Sequence, residues 1–230
     1  MTKSTKSLPA LLAIDASSSI CSLALQVNDT IDSLIIDESR LQAVKLIPAL
    51  EELLQRNNMS LSNIDAFVLS NGPGRFTGLR IAVGFIQGLA YSSDKKIITI
   101  NSLELQAEQF IVQNKPIKNK IWVCNKAYNN VYYTSKYQVG NLVLPIEHTA
   151  AKNKAELIEE LNNNDLSEFN FIGTGFSELF ADLGVQDQYQ VDETPPHAQY
   201  IFGLANLKFI NNDFVDVYSA LPDYAVNPYK

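Results

Sequence analysis

The sequence is poor in the residues that build disulfide and metal sites. Its 230 residues include two cysteines, two histidines and one tryptophan. Cys21 and Cys124 each lie alone in an apolar stretch, which excludes a disulfide framework and favours reduced thiols. His148 and His197 have no second histidine at helical or hairpin spacing, so we expect no metal site and no cofactor.

Positive charge is also scarce. The 18 Lys and Arg residues are outnumbered by 25 Asp and Glu residues, which gives a net charge of −7 and a pI near 4.9. Binding a phosphate backbone requires a clustered basic surface. We therefore expect any contact with nucleic acid to be indirect.

Long apolar runs are missing as well. No stretch approaches the roughly 18 consecutive apolar residues of a membrane-spanning helix. The run over 8–14 stops at Asp15 without a cleavage site for secretion, so it is interpreted as the approach to a strand. A hydrophobic content of 46% is ordinary for a globular protein. These features predict a cytoplasmic protein that makes no contact with a membrane.

The first half of the chain alternates short apolar strands with helical stretches. Three strand-like runs joined by turns predict an antiparallel meander, and the later runs alternate between strand and helix periodicity. In order, these are strands 11–14, 20–27 and 33–37, a helix over 41–56 with Pro48 near its start, strand 64–70, a helix after Thr77, strand 96–100, and a helix with Ser102 as N-cap. The predicted order is βββαβαβα.

The second half repeats this order weakly after a polar, proline-containing segment at 114–120. Strand-like runs lie at 121–124, 131–138, 142–146 and 169–172, with helices over 152–162, from Phe176 and over 197–211. Two halves of the same order indicate a duplicated α/β unit. We therefore expect an α/β protein of two lobes, residues 1–113 and 114–230.

Five of the ten glycines fall between residues 72 and 88, where a predicted strand meets a helix. Glycine permits close backbone approach, and proline stiffens a turn. A rigid strand-to-helix corner is the favoured interpretation. An anion-binding helix start is the alternative, although no Lys-Ser or Lys-Thr closes the motif as in a P-loop. The expected structural residues are Gly72, Pro73, Gly74, Phe76, Thr77 and Gly78.

The helix after this corner, residues 79–91, is apolar over a wide arc. At 100° per residue its apolar side chains span about 200°, more than one sheet contact requires. Gly84 and Gly88 lie one turn apart beside this arc and would let another helix approach closely. Two interpretations stay open: cover by the first helix of the same chain, or by a helix of a partner.

Polar residues give only weak signals for catalysis. The serines at 17–19 lie in a turn without the GxSxG pattern of a nucleophile. Adjacent glutamates at 51–52 and 159–160 point about 100° apart on a helix. The segment 173–175 is a lone GxG, which is weak support for nucleotide contact. Turn chemistry and solvated helix surfaces explain these residues, so no catalytic residue is expected.

Several segments resemble one known family. Residues 72–82, GPGRFTGLRIA, resemble the GPGSFTGLRIG hallmark of the bacterial TsaB proteins, also called YeaZ. Residues 11–17, LLAIDAS, are similar to the LAIDTS start of that family, and residues 21–25 to its C-S-V-A-L strand. Residues 173–176 resemble its G-T-G-W, and residues 221–224 lie where a terminal P-x-Y is expected.

The chain also departs from the family pattern. Similarity is strong over 11–105 and faint over 117–168. The family segment R-x-H-S-E-x-L-x-P is RLQAVKLIP at 40–48, so Gln42 and its neighbours replace His, Ser and Glu. The family segment D-A-R-x-G-E-V-Y is NKAYNNVY at 125–132, and Arg75 replaces a serine. These changes suit a packing surface at 40–48 better than a catalytic segment.

The resemblance implies the two-lobed actin-like ATPase fold. It implies a role in forming N6-threonylcarbamoyladenosine in tRNAs that read codons beginning with A. In that system a paralogue, TsaD, carries the metal and transfers the threonylcarbamoyl group, and the ATPase TsaE joins the pair. The chain would be the non-catalytic partner, a homodimer when alone, and would meet tRNA only through the complex.

The same resemblance implies a partner surface on the first two helices. Its expected residues are Val44, Ile47, Leu79, Arg80, Ile81, Val83, Gly84, Phe85 and Gly88.

The alternative function is an actin-like enzyme that binds and hydrolyses ATP itself. Asp15, Ser17, Gly173 and Gly175 would then contact the nucleotide. Working members of that superfamily usually carry glycine where Ser17 stands, so this serine counts against the alternative.

Overall fold

The computed structural model describes residues 8–38, 41–114 and 116–225. They form two lobes, each with one five-stranded sheet and packed helices. The order predicted for the first half is confirmed. Its elements are β1 (Leu11–Asp15), β2 (Cys21–Val27), β3 (Thr30–Ile36), α1 (Gln42–Arg56), β4 (Ala66–Gly72), α2 (Phe76–Ser93), β5 (Lys96–Asn101) and α3 (Ser102–Gln113).

The second lobe repeats the order, ending in a two-residue strand and a helix. A single 3-10 turn, Ala198–Tyr200, precedes the last helix. The elements are β6 (Lys120–Lys126), β7 (Val131–Gln138), β8 (Leu144–Asn153), α4 (Lys154–Asn162), β9 (Phe169–Ile172), α5 (Phe176–Leu183), β10 (Val191–Asp192) and α6 (Phe202–Ile210).

Strand pairing fixes the directions of the helices. The sheet of the first lobe has the order β3-β2-β1-β4-β5, with an antiparallel meander over β1–β3 and with β4 and β5 parallel to β1. Since β3, β4 and β5 run the same way, α1 and α2 are both return crossovers and run parallel to each other. The second sheet, β10-β9-β6-β7-β8, follows the same scheme.

Three apolar clusters fill the molecule. One lies between the first sheet and the helices α1 and α2, and another between the second sheet and α4 and α5. The third joins the two sheets through α3 and α6. The lobes therefore share a continuous core.

Buried amides on α3 tie the lobes together. The side chain of Gln106 donates to the carbonyl of Thr194 at 2.9 Å, and that of Gln109 donates to the carbonyl of Pro195 at 3.1 Å. Glu108 accepts a hydrogen bond from the Val143 amide at 3.0 Å. Breaking such bonds would leave buried polar groups unpaired, which opposes hinge motion between the lobes.

Some boundaries differ from those predicted. Asn101, not Ser102, is the N-cap of α3, because its side chain accepts from the Leu103 amide at 2.9 Å. Ser102 instead donates to the carbonyl of Pro73. Pro48 lies well inside α1, where four buried leucines hold the helix against the sheet.

Two further elements of the second lobe were misplaced by the sequence pattern. The predicted helix over 152–162 starts later, because β8 pairs with β7 as far as Asn153. The predicted helix over 197–211 is a 3-10 turn followed by the shorter α6. Helical periodicity in the sequence does not distinguish a 3-10 turn from the first turn of an α-helix.

After α6 the chain returns to the first lobe. Val215 forms an antiparallel bridge with Ile97, and Ala220 is fully buried in the core beneath α1 and α2. The division after residue 113 remains a prediction. Within the three described ranges, no helix is long and apolar enough to span a membrane.

Candidate partner-binding surface

The glycine motif forms a corner that packs on the turn after β1. A Cβ on Gly74 would lie 2.3 Å from the carbonyl oxygen of Ser17, and one on Gly78 would lie 2.1 Å from that of Ala16. The amide of Arg75 donates to the same Ser17 carbonyl at 2.8 Å. These glycines are therefore explained by close packing between the start of α2 and the β1–β2 turn.

The first candidate nucleotide turn contains a buried carboxylate. Asp15 is fully buried, and its Oδ1 accepts a hydrogen bond from the Ser17 hydroxyl at 2.8 Å. Its Oδ2 has no partner among the described residues. Burial raises the pKa of Asp15 to about 6, because the charged form loses its solvation.

Asp15→Asn is expected to stabilise the protein at neutral pH. The pKa of Asp15 rises from 3.8 to about 6 on folding, so ionisation destabilises the folded chain progressively between these values. Asparagine keeps an oxygen acceptor for Ser17 without the charge. We expect the free energy of unfolding to rise by about 2 to 3 kcal/mol at pH 7.5 and to change little at pH 3.5. Urea unfolding at both pH values measures this, and equal changes would contradict it.

In the second candidate nucleotide turn, residues 173–175, each backbone amide donates a hydrogen bond to an acceptor within the chain. The amides of Gly173 and Gly175 donate to the carbonyls of Asp192 and Cys124 at 2.7 and 2.9 Å. The amide of Thr174 donates to the Asn125 side chain at 3.2 Å. This turn therefore has no free amide for a phosphate. Added Cβ atoms on either glycine would strike Cys124, so packing explains both.

A cavity of about 520 Å³ lies between the lobes. Ser17 and Gly74 line it from the first lobe, and Asn125 and Lys126 line it from the second. Lys126 is paired with Glu178. In the described part of the chain, no three His, Cys, Asp or Glu side chains are placed to hold a metal ion.

The outer surface of α1 and α2 carries uncovered apolar groups. Val44 is 73% exposed and Ile47 is 50% exposed, although both stand on a helix whose other side is core. Large apolar side chains at such exposure, three residues apart on one helix, form a patch of the kind that marks an interface. Ile81 and Phe85 of α2 lie half-buried beside the core.

The two glycines of α2 are open in this chain. Gly84 and Gly88 are exposed, and among the described residues a Cβ built on either has no heavy atom within 4 Å apart from the backbone of α2 itself. The interpretation that α1 of the same chain covers α2 is therefore wrong at these two positions. Leu79 and Val83, expected at the partner surface, are 0% and 6% exposed and belong to the interior of the lobe. Their side chains are therefore not available to a partner helix, in contrast to what the resemblance implies.

The sequence pattern missed one cluster at the start of α2. Phe76 is stacked with Tyr224 at 5.3 Å between ring centroids, and the Arg80 guanidinium lies 3.7 Å from the Phe76 centroid. Arg80 also donates to the Tyr224 hydroxyl at 3.2 Å. The P-x-Y segment at residues 222–224 contains Tyr224, but no feature of the sequence indicates that this tyrosine contacts α2.

Comparisons with known proteins decide the family. A family model described as "TsaD: tRNA N6-adenosine threonylcarbamoyltransferase" matches residues 37–185, more than half of the chain. The Escherichia coli protein called "tRNA threonylcarbamoyladenosine biosynthesis protein TsaB" is 27% identical over 220 residues, covering 94% of each chain. The chain belongs to the TsaB (YeaZ) branch of this family.

Other relatives of the chain agree. The structure titled "YeaZ from Pseudomonas aeruginosa" has a TM-score of 0.82 and 25% identity, covering 94% of this chain and 100% of that one. The predicted α/β fold of two lobes, each with the order βββαβαβα, is confirmed. A tRNA N6-adenosine threonylcarbamoyltransferase of Gemmatimonas aurantiaca is 35% identical over 66 residues, 29% of this chain and 18% of that protein.

Proposed function

We propose that this chain is a non-catalytic scaffold subunit in the formation of N6-threonylcarbamoyladenosine in tRNA. It would bind and stabilise a TsaD-type transferase, the catalytic paralogue, in a complex that TsaE joins. The name of the E. coli relative supports the pathway. The uncovered face of α1 and α2 supports the scaffold role.

The observation that carries this proposal is the open helix surface. Val44 and Ile47 project from α1, and Gly84 and Gly88 leave the neighbouring α2 backbone open to close approach. An apolar surface with a flat, glycine-containing helix suits docking of a second helix pair.

The paralogue is a suitable occupant because it is related to this chain. One family model, named for the transferase, spans α1 and α2 of this chain. The transferase therefore has a homologous helix pair, and two related surfaces can pack about a pseudo-twofold axis. A second copy of this chain would use the same surface when the paralogue is absent. The net charge of −7 leaves tRNA contact chiefly to the partners.

Co-purification tests the pairing directly. A tagged paralogue is expected to retain this chain at a 1:1 ratio through gel filtration. Two separate peaks, with both proteins folded by circular dichroism, would contradict the proposal.

ATP is expected not to bind the isolated chain tightly. The amides of residues 173–175 already donate to acceptors within the chain, and the Arg75 amide at the start of α2 donates to the Ser17 carbonyl, so these backbone donors are not available to a phosphate. Calorimetric titration with ATP and magnesium should give a Kd weaker than about 1 mM. Micromolar binding would favour the alternative, an actin-like ATP-binding enzyme that acts on its own.

A further inference from the structure

The cavity between the lobes has the size and the lining of a small-molecule site. Its volume of about 520 Å³ lies within the range of ligand pockets, roughly 300–1,000 Å³. Aromatic rings and prolines supply much of its wall: Pro73, Phe76, Tyr128, Tyr133, Pro195 and Pro196. Tyr128 is exposed, so its ring is open to contact. Such a wall favours a ligand that contains a flat ring, because rings stack on aromatic side chains.

Most buried polar side chains of the cavity are already paired within the chain. Gln106 accepts a hydrogen bond from the Asn125 side chain at 2.8 Å. The Ser17 hydroxyl donates to Asp15 at 2.8 Å, and the Ser102 hydroxyl donates to a backbone carbonyl. These groups hold the shape of the wall and leave few polar atoms for a ligand.

Tyr133 differs from these groups. Its side chain lines the cavity and is 5% exposed, and no described residue forms a hydrogen bond with its hydroxyl. Burial raises the pKa of Tyr133, and the nearby Tyr128 and Asp223 act in the same direction, so the hydroxyl keeps its proton at neutral pH. A buried hydroxyl without a partner is unfavourable. It is therefore a donor that an acceptor atom of a ligand would satisfy.

The charged side chains of the cavity favour an anion. Arg75 lines it from the first lobe and Lys126 from the second, against one carboxylate, that of Glu193. Lys126 is paired with Glu178. Among the described residues, the arginine ion pairs both involve Arg56, and no carboxylate lies within 4 Å of the Arg75 guanidinium. Arg75 is thus a cation at the cavity that a ligand can neutralise.

The start of α2 adds to this preference. Gly74 and Arg75, which lie directly before its first turn, both line the cavity. The Arg75 side chain does not cap the helix. The N-terminal end of a helix carries a partial positive charge, which stabilises a negative group nearby. The helix end, the guanidinium and the unpaired hydroxyl of Tyr133 therefore favour the same kind of ligand atom.

We propose that this cavity binds a small organic anion of the aromatic carboxylate class. Arg75 and Tyr133 bind the carboxylate, and the ring contacts Tyr128. The site differs from a nucleotide site, because a polyphosphate needs backbone amides that here already donate within the chain, whereas one carboxylate needs only a cation and a hydroxyl. This binding activity goes beyond the scaffold role and does not depend on it.

Titration with naphthoate, followed by ligand-observed NMR, tests the site. Naphthamide is the matched probe without the charge, and acetate is the probe without the rings. We expect a Kd of roughly 0.1 mM for naphthoate, about 10-fold weaker binding of naphthamide, and no binding of acetate up to about 10 mM.

Two variants test the residues that hold the carboxylate. Tyr133→Phe should weaken naphthoate binding about 10-fold without lowering the Tm of the free chain, because the hydroxyl it removes has no partner in the chain. Arg75→Gln should weaken naphthoate about 10-fold and naphthamide by less than about 2-fold. The controls Tyr218→Phe and Arg56→Gln alter the same residue types outside the cavity and should stay within about 2-fold.

Three results would overturn the site. One is equal binding of naphthoate and naphthamide, or no binding of either. Another is wild-type affinity in Tyr133→Phe, or a Tm for this variant more than about 3 °C below wild type, since the hydroxyl would then be bonded within the chain. The third is displacement of naphthoate by micromolar ATP with magnesium, which would make the cavity a nucleotide site. Loss of this site leaves the scaffold proposal standing, because pairing with the paralogue is measured separately.

Discussion

Gly84→Leu is expected to abolish pairing with the transferase paralogue while leaving the isolated chain at least as stable as wild type. Apart from the backbone of α2 itself, no heavy atom of the described residues lies within 4 Å of the added Cβ, so leucine has open space on this side of its own lobe. Replacing glycine inside an exposed helix also raises helix propensity by roughly 0.8 kcal/mol. A docked helix would meet the new side chain directly, and overpacking of about 3 kcal/mol corresponds to more than 100-fold in Kd.

Titration of the paralogue and thermal unfolding of the isolated variant are the two measurements. Ala155→Leu is the control, because it enlarges an exposed residue on α4 of the second lobe. It should leave the Kd unchanged. A Gly84→Leu variant with a higher Tm and an unchanged Kd would show that this part of α2 does not meet the partner.

Gly78→Ala is expected to destabilise the fold strongly, in contrast to Gly84→Ala on the same helix. Its methyl group would lie 2.1 Å from the carbonyl oxygen of Ala16, a backbone atom that has little freedom to move. We expect the free energy of unfolding to fall by about 3 kcal/mol or more, and the Tm to fall by about 10 °C. Gly84→Ala should instead raise it by up to about 1 kcal/mol.

Urea unfolding of the two alanine variants checks this contrast. Both substitutions add one methyl group to α2, so helix propensity acts equally on them. Similar free energies of unfolding would mean that the start of α2 is not packed on the β1–β2 turn as described.

The order of elements followed from short-range pattern, and that is why it could be predicted. Apolar strands of four to eight residues alternate with helical stretches, and turn residues separate them. The corner at Gly72–Gly78 was expected for the same reason. Its packing partners, Ala16 and Ser17, could not be read from the motif, because they belong to another strand end about 60 residues away.

The partner surface was only partly predictable. Periodicity identified an α2 with too much apolar surface for one sheet, and Gly84 and Gly88 are indeed open. Periodicity does not say which half of a wide arc faces the sheet, and Leu79 and Val83, which the resemblance places at the partner surface, lie in the interior of the lobe. Residues 214–225 lie along α2 through contacts between residues more than 120 positions apart, such as Gln87 with Val217, which no local pattern reveals.

The candidate nucleotide turns show the same limit. A lone GxG after a strand suits either a phosphate or a tight turn. The three-dimensional arrangement distinguishes them, because the amides of Gly173, Thr174 and Gly175 all have acceptors inside the chain. Local sequence specifies the turn, and the neighbouring β6 determines what the turn can bind.

We propose that this chain acts by binding and stabilising its paralogue. Reconstitution of tRNA modification from the purified transferase, TsaE and the enzyme that makes the threonylcarbamoyl adenylate, with and without this chain, tests this role. We expect modified adenosine to form only when the chain is present, and Gly84→Leu to fail to replace the wild type. Equal modification without the chain, or full activity with Gly84→Leu, would show that the chain does not act in this way.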